Sequence, residues 1–523
     1  MARSDTNVRF CNACNDFEVV GLPRLYSLKQ TLDEFSSDLA KSEELRGQVG
    51  ECSPSIYPPL RRLWQKIVDQ QLLAEPDASR AIQDLCWSLA KFTRNFVAGI
   101  PHNQLLAFEN EPDIRRLIHH YTSFSVIQHE DPFAVTRMLA QTLSNMVTAN
   151  ETLVSQLWDL YIGLPEEQNI LIRLLASPDD GSVVSTLVLV LNCIHGNNRR
   201  SGMLASNPVG TRICKTIFER INSSFEAEDD TIVPKTFEMG YHVFVRLLEA
   251  GYFPDLYANL AIEGEVIAPH QTTLLKVQDS YLQSPPSGAL STETIGGLTP
   301  FTISTFFTLS SYTQRAIEKF IGSPSHDGQP APVTTRNELD LVLPKVCEAL
   351  VLLSQCLVSV ALQVAEHRAA PQYESVTALL DGKISAEGQG LVESVISTLG
   401  LLDTFLPRIN FGKAVPSIPG QTLDETPDST GFQYVKRDLV RLLGVLCHDN
   451  KTVQDRIRGC GGVPIMMNMC VMDERNPFLR EHAILALRNL LHGNAENQAV
   501  VEEIKPMWTW DTDGTLRERP ASR

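Results

Sequence analysis

Sulfur ligands are the first candidates for chemistry in this chain. Cys11 and Cys14 stand in a Cys-x-x-Cys spacing that lets two thiolates reach one zinc ion. A structural zinc site needs a second pair, and Cys52 stands alone, so no zinc site is assigned. Met466, Met469, Cys470 and Met472 fall on roughly one side of a helix. Soft sulfur suits reduced copper, but the same stripe describes an adaptable core helix, and no metal ligand or cofactor is assigned.

Glycine and histidine are the next candidates. Gly459-Cys460-Gly461-Gly462-Val463-Pro464 is a glycine cluster of the kind that can cradle an anion. No strand precedes it, no Lys-Ser or Lys-Thr follows, and proline stands where a phosphate-binding helix would begin. It reads as a turn between two helices. His195, His448 and His492 recur at the end of one repeated helix, where an imidazole can cap the last carbonyls; His119-His120 is a separate pair. Neither a Gly-x-Ser-x-Gly elbow, a His-Glu-x-x-His pair nor a Walker sequence is present, so the residues point away from an enzyme.

Four asparagines mark a repeat: Asn95, Asn145, Asn192 and Asn489. Armadillo import receptors pair such an asparagine with a tryptophan four residues earlier to grip a basic peptide. Here those places hold Lys91, Gln141, Val188 and Leu485, so the ladder is missing and an importin-like cargo receptor ranks as an alternative only. The amides are expected to bond backbone between repeats, since buried amides need partners.

The elements that position these residues are helices. Over Asn476–Gln498, Asn476 reads as an N-cap and Pro477 as the first helical residue. Phe478, Leu479, Ala483, Ile484, Leu487, Leu490 and Leu491 recur at helical spacing, and Leu485 and Ala486 widen the stripe. Such a helix is expected to be covered on most sides, with Leu487 in the core. Gly493 ends it in the left-handed conformation. Leu446-Cys447-His448-Asp449-Asn450 precedes Leu490-Leu491-His492-Gly493-Asn494 by 44 residues. Arg94-Asn95 with Asn103-Gln104 repeats the pattern of Arg488-Asn489 with Asn497-Gln498. That period and its looseness predict an all-α, armadillo/HEAT-like α-solenoid, right-handed, running from near the N-terminus to about Lys505.

Composition agrees. The chain has 523 residues, 43% of them hydrophobic, and a net charge of −17. The charge argues against a nucleic-acid partner, because affinity for phosphates is built largely from Lys and Arg. Scattered cysteines in apolar helical stretches (Cys86, Cys193, Cys347, Cys356, Cys447) suit a reducing compartment. The polar start MARSDTNVRF lacks a signal-peptide core, and Leu341–Ala365, the longest apolar stretch, holds Lys345 and Glu348. The expectation is a cytoplasmic protein without a membrane span.

Three breaks, expected to be mobile, organise the chain: 223–234, which is acidic, then 283–299 with 322–335, then 410–431. The last serves as a linker, separating an N-terminal repeat region (1–409) from a C-terminal array (432–505). A tail (506–523) follows, in which Met507–Trp510 and Thr515–Arg517 could pair as a hairpin around Asp511–Gly514. Ser284, Thr299, Ser323 and Thr426 each precede proline in or beside these breaks and are candidate sites for proline-directed phosphorylation.

The segment Phe432–Ile504 carries a resemblance. Lys436-Arg437-Asp438-Leu439, Asn476-Pro477-Phe478 and Glu496-Asn497-Gln498 resemble the C-terminal domain of the ataxin-10 family, some of whose fungal members carry a copper-transport name. The resemblance implies a non-enzymatic, armadillo-like, cytoplasmic scaffold that binds other proteins, can self-associate, and serves cytokinesis, the cell cycle, cell survival and morphology. A copper-handling protein is the other alternative, supported in the residues only by the stripe at 466–472.

Overall fold

Four of the repeat helices end in the same way. In the computed structural model the chain turns through a positive φ at Ala149 (59°), Gly196 (61°), Asp449 (50°) and Gly493 (65°). Asparagine follows at once, and its side-chain oxygen caps the next helix: Asn150 accepts from Leu153 N, Asn197 from Arg200 N, Asn450 from Val453 N and Asn494 from Asn497 N. Each cap is worth about 1 kcal/mol. The left-handed residue reverses the chain, and the cap restarts it within two residues.

The described residues are 8, 11–12, 22–73, 76–226, 233–285, 288, 290–321, 340–367, 370–382, 389–410, 413–415, 431–432, 434–503, 508–510 and 516–518. They divide into two units, Met1–Leu260 and Ala261–Arg523. The first unit stacks one row of long helices side by side: α1 (Leu22–Lys41), α2 (Pro76–Val97), α3 (Phe133–Val147), α4 (Asp180–Ile194) and α5 (Val233–Glu249). A second row, Tyr57–Leu73, Glu111–Tyr121, Ile170–Leu175 and Pro208–Glu226, packs behind it. Short helices such as Pro101–Ala107 and Asn198–Ser206 close each three-helix repeat. Trp64, Phe92 and Phe96, on helices of the two rows, are fully buried.

The second unit repeats the plan with α6 (Pro269–Gln283), α7 (Leu343–Glu366), α8 (Val435–Leu446) and α9 (Leu479–Leu491) as one row. Thr292–Ile321, Leu391–Phe405, Lys451–Gly459 and Gly462–Met469 lie in the layer behind. Both units bury apolar faces only against neighbouring helices, which is how an armadillo/HEAT-like solenoid is stabilised. The architecture is that solenoid. α7 is long and apolar enough to cross a membrane by length and composition, with a mean hydropathy of 1.8 over its most apolar window, but 67% of that window is buried inside the protein.

Several details differ from the sequence reading. The antiparallel pair Arg408–Asn410 with Lys413–Val415 is not expected from the sequence, whereas Trp508–Trp510 pairs with Leu516–Glu518 where the sequence suggests a tail hairpin. Residues 292–299 open the long helix Thr292–Ile321, and 223–226 finish Pro208–Glu226; 227–232, 322–335 and most of 410–431 lie outside the described residues. The division between units falls after Leu260, and the stretch 410–431 lies within the second unit's span.

The start of α9 also departs from expectation. Asn476 is buried, and its Nδ2 donates to Asp473 Oδ2 at 2.8 Å instead of leaving the side chain as an N-cap. Phe478 takes the cap position with φ at 64°, and the helix begins at Leu479. Only Leu479, Ala483, Ala486 and Leu490 of α9 are buried, whereas Ile484 and Leu485 are exposed and Leu487 is half-buried. This helix belongs to the last repeat of the row, so among the described residues nothing stacks on its far side.

Candidate functional site

Close approach of two helices builds the larger groove. Gly444 on α8 faces Ala486 on α9: a Cβ on Gly444 would stand 2.9 Å from Ala486 Cβ and 3.2 Å from its Cα. Asn489 Nδ2 donates to Gly444 O at 2.9 Å across the same crossing. With α8 and α9 pinched there, their outer turns and α7 enclose a groove of about 730 Å³. Ala361, Leu362, Leu380, Val445, Leu485 and Ala486 give it an apolar wall. Leu362 and Leu485 are 43% and 56% exposed, so two large aliphatic side chains present themselves to solvent.

Polar and charged groups edge this wall. Arg441, His448 and His482 stand with Glu366, Asp381 and Asp449. Asn450 Nδ2 donates to both oxygens of Asp381 at 3.1 Å, and Arg456 pairs with Glu393 at 2.5 Å behind it. Burial, and then the Arg441 and Arg437 guanidiniums, hold His482 below the usual imidazole range. The groove therefore offers an apolar floor with separated charges at its rim. That combination suits holding a segment of another protein.

The first unit has a smaller and more polar groove of about 370 Å³ between α2, α3 and α4. It is lined by Arg94, Asn95, Gln141, Ser144, Asn145, Val184, Ser185 and Val188. A relay crosses it: Arg94 Nη1 donates to Gln141 Oε1 at 2.6 Å, and Gln141 Nε2 donates to Ser185 Oγ at 3.3 Å. Burial lowers the pKa of Arg94 from its usual value.

The four repeat asparagines tie neighbouring helices of each row. Asn95 Nδ2 donates to Ser36 O and Oγ, Asn145 Nδ2 to Arg94 O, and Asn489 Nδ2 to Gly444 O. Asn192 differs, donating to the hydroxyls of Ser144 and Thr148. Three of the four also line a groove, Asn95 and Asn145 in the first unit and Asn489 in the second. Gln141, Val188 and Leu485, which stand where import receptors place tryptophan, line the grooves too. Lys91 sits instead with its ammonium 5.0 Å over the Trp87 ring.

The helix-terminal carbonyls are not capped by the histidines. His195, His448 and His492 are exposed. At the end of α4 the donors are Arg200 Nε to Cys193 O and Ser201 Oγ to Ile194 O, and at the ends of α3 and α9 a glutamine from the preceding repeat takes this place. Gln104 Nε2 donates to Asn145 O and Thr148 O, and Gln454 Nε2 donates to Cys447 O, Asn489 O and His492 O. The Oε1 of each accepts from the next repeat's asparagine, Asn150 or Asn494. Asn103 and Asn497 likewise each donate to the carbonyl seven residues back, Phe96 O and Leu490 O. Recurrence of Asn103-Gln104 as Asn497-Gln498 was the sequence signal for this; its partners lie a repeat away and were not visible.

The sulfur stripe does not converge. Met466 and Met469 are buried in the core, whereas Met472 is 54% exposed beyond the helix end. Among the described residues no cluster of three His, Cys, Asp or Glu side chains could hold a metal ion. Cys11 is buried with its thiol toward Ser55 O, and Cys14 lies outside the described residues. Of the four Ser/Thr-Pro positions, Ser284 is exposed just after α6. Thr299 is fully buried within Thr292–Ile321, its hydroxyl donating to Ile295 O at 2.7 Å, which removes it as an accessible site. Ser323 and Thr426 lie outside the described residues.

Comparison with known proteins concentrates on the second groove's helices. The model of the spinocerebellar ataxia type 10 protein domain matches residues 435–519, which include α8 and α9. Ataxin-10 of Bos taurus is 34% identical over 117 residues, 22% of this chain and 24% of the relative. The ataxin-10 homolog of Dictyostelium discoideum is 39% identical over 89 residues, 16% of this chain and 15% of the relative. The chain thus matches about a quarter or less of the length of these relatives. Among solved structures, SYS-1 aligns with 94% of this chain and 85% of its own at 10% identity and a TM-score of 0.40. Over residues 435–519, which hold α8 and α9, the chain is similar to the ataxin-10 domain, and it shares stretches of sequence with the Bos taurus and Dictyostelium discoideum proteins.

Proposed function

We propose that this chain is a cytoplasmic scaffold for cytokinesis and cell morphology, and that it captures a partner protein through the groove between α7, α8 and α9. The observation that carries the reading is the pair of solvent-facing leucines, Leu362 and Leu485, over an apolar wall of about 730 Å³. Removing such apolar area from water drives association, and charges at the rim orient the partner. Self-association and phosphorylation at Ser284 belong to the same proposal; light scattering and phosphopeptide mapping test them.

The deciding experiment is rescue of depleted cells. Leu362→Glu with Leu485→Glu puts charge on two side chains that are already exposed, so folding is expected to survive. Wild type should restore normal division and shape, and the double variant should not. Equal rescue by both would overturn the role of the groove, and undisturbed division in depleted cells would overturn the assignment to cytokinesis.

A further inference from the structure

The groove of the first unit contains a cation that no carboxylate of its own lining neutralises. Arg94 spends Nε and Nη2 on Asn95 Oδ1, at 3.1 and 3.0 Å, and Nη1 on Gln141 Oε1 at 2.6 Å. All these acceptors are neutral amides. A guanidinium carries five N–H bonds, so two remain after these three. Not one of the eight lining residues is acidic. Lys91 lies one turn earlier on the same face of α2 and, among the described residues, forms no ion pair. The carboxylates at the start of α4 are already engaged, Asp179 with Arg137 at 2.6 Å and Asp180 with Arg220 at 2.7 Å.

From this charge pattern we propose that the α2–α3–α4 groove is a docking site for an extended, acidic peptide segment of a partner protein, with an Asp or Glu carboxylate on Arg94. An extended chain presents backbone N–H groups and side chains in alternation. Asn145 suits the backbone: its Nδ2 is held by Arg94 O, while among the described residues its Oδ1 accepts no hydrogen bond and can take a peptide N–H. Val184 and Val188 give the remaining floor an apolar surface, and Val188 is 38% exposed. A guanidinium half removed from water, held in place by amides, gives up little side-chain freedom when a carboxylate arrives. The site is distinct from the leucine-walled groove of the second unit and does not depend on it. It also sets the preferred charge of its ligand opposite to that of an importin cargo.

The test is to pan a phage-displayed random decapeptide library against the full chain. Wild type is expected to enrich Asp and Glu. Arg94→Gln, which keeps the ability to bond Gln141, should lose that enrichment, and Val188→Glu should lose it through like-charge repulsion at a solvent-facing position. Leu362→Glu with Leu485→Glu should retain it, which separates this site from the other groove. A selected acidic peptide, measured by fluorescence anisotropy, should bind Arg94→Gln about tenfold more weakly, the size expected for one charge-assisted contact. Failure of wild type to enrich peptides, enrichment of neutral or basic ones, or unchanged acidic enrichment by Arg94→Gln would each overturn the proposal.

Discussion

The two units share their joints and differ in their surfaces. Gln104 with Asn150 in the first and Gln454 with Asn494 in the second make the same amide bridge from one repeat to the carbonyls ending the next. Between those joints, the first unit lines its groove with Arg94, Gln141 and Ser185, and the second with Leu362, Leu485 and Ala486. The difference teaches that in a stacked-helix protein the bonds between repeats and the surface offered to partners are separable. Joints are buried and demand satisfied amides. Groove positions that reach solvent, such as Leu362, Leu485 and Val188, are free to vary in chemistry.

Buried charge should break the comparison most strongly. Lys436 in the second unit is fully buried, its Nζ 2.7 Å from Leu406 O and 3.2 Å from Asp403 Oδ1. Lys436→Ala removes the ion pair of Asp403, which is only 7% exposed, at a cost of about 3–5 kcal/mol. Denaturant unfolding followed by proteolysis should show the second unit opening early while the first is unaffected.

Packing at the groove comes next. Gly444→Ala drives a methyl against Ala486, including its Cα, and should destabilise the second unit by about 1–3 kcal/mol. Urea titration measures it; a variant as stable as wild type would show that α8 and α9 can separate. The joints themselves sharpen the comparison: Gln104→Ala and Gln454→Ala each take a side-chain donor from part-buried carbonyls and should cost a similar amount, about 1 kcal/mol apiece. Unequal losses would mean that the two bridges only look alike.

The smallest effect concerns pH. Burial lowers His120 in the first unit, and burial with Arg441 and Arg437 lowers His482 in the second. Below about pH 6.5 the unfolded imidazoles take up protons before the folded ones do, so stability falls as pH falls. Melts between neutral and mildly acidic pH should show this, and His482→Gln should flatten the dependence in the second unit alone.

Several features were legible in the sequence because they depend on neighbours along the chain. Helical periodicity, the left-handed turn at Gly493 and the recurrence of Asn95, Asn145, Asn192 and Asn489 all follow from local spacing and backbone sterics. The solenoid follows from them, since helices with one apolar stripe at a regular period have only each other to pack on. What the tertiary structure decided is everything set by a partner one repeat away. The apolar stripe of α9 looked like a core helix, yet Ile484 and Leu485 are exposed because coverage depends on what stacks alongside. Thr299-Pro300 looked like a loop, yet its helix buries it against the core. Gln104 and Gln454, unremarked as single residues, became the joints because folding brought them to carbonyls more than thirty residues away. Periodicity states which residues share a face, and only packing determines what that face meets.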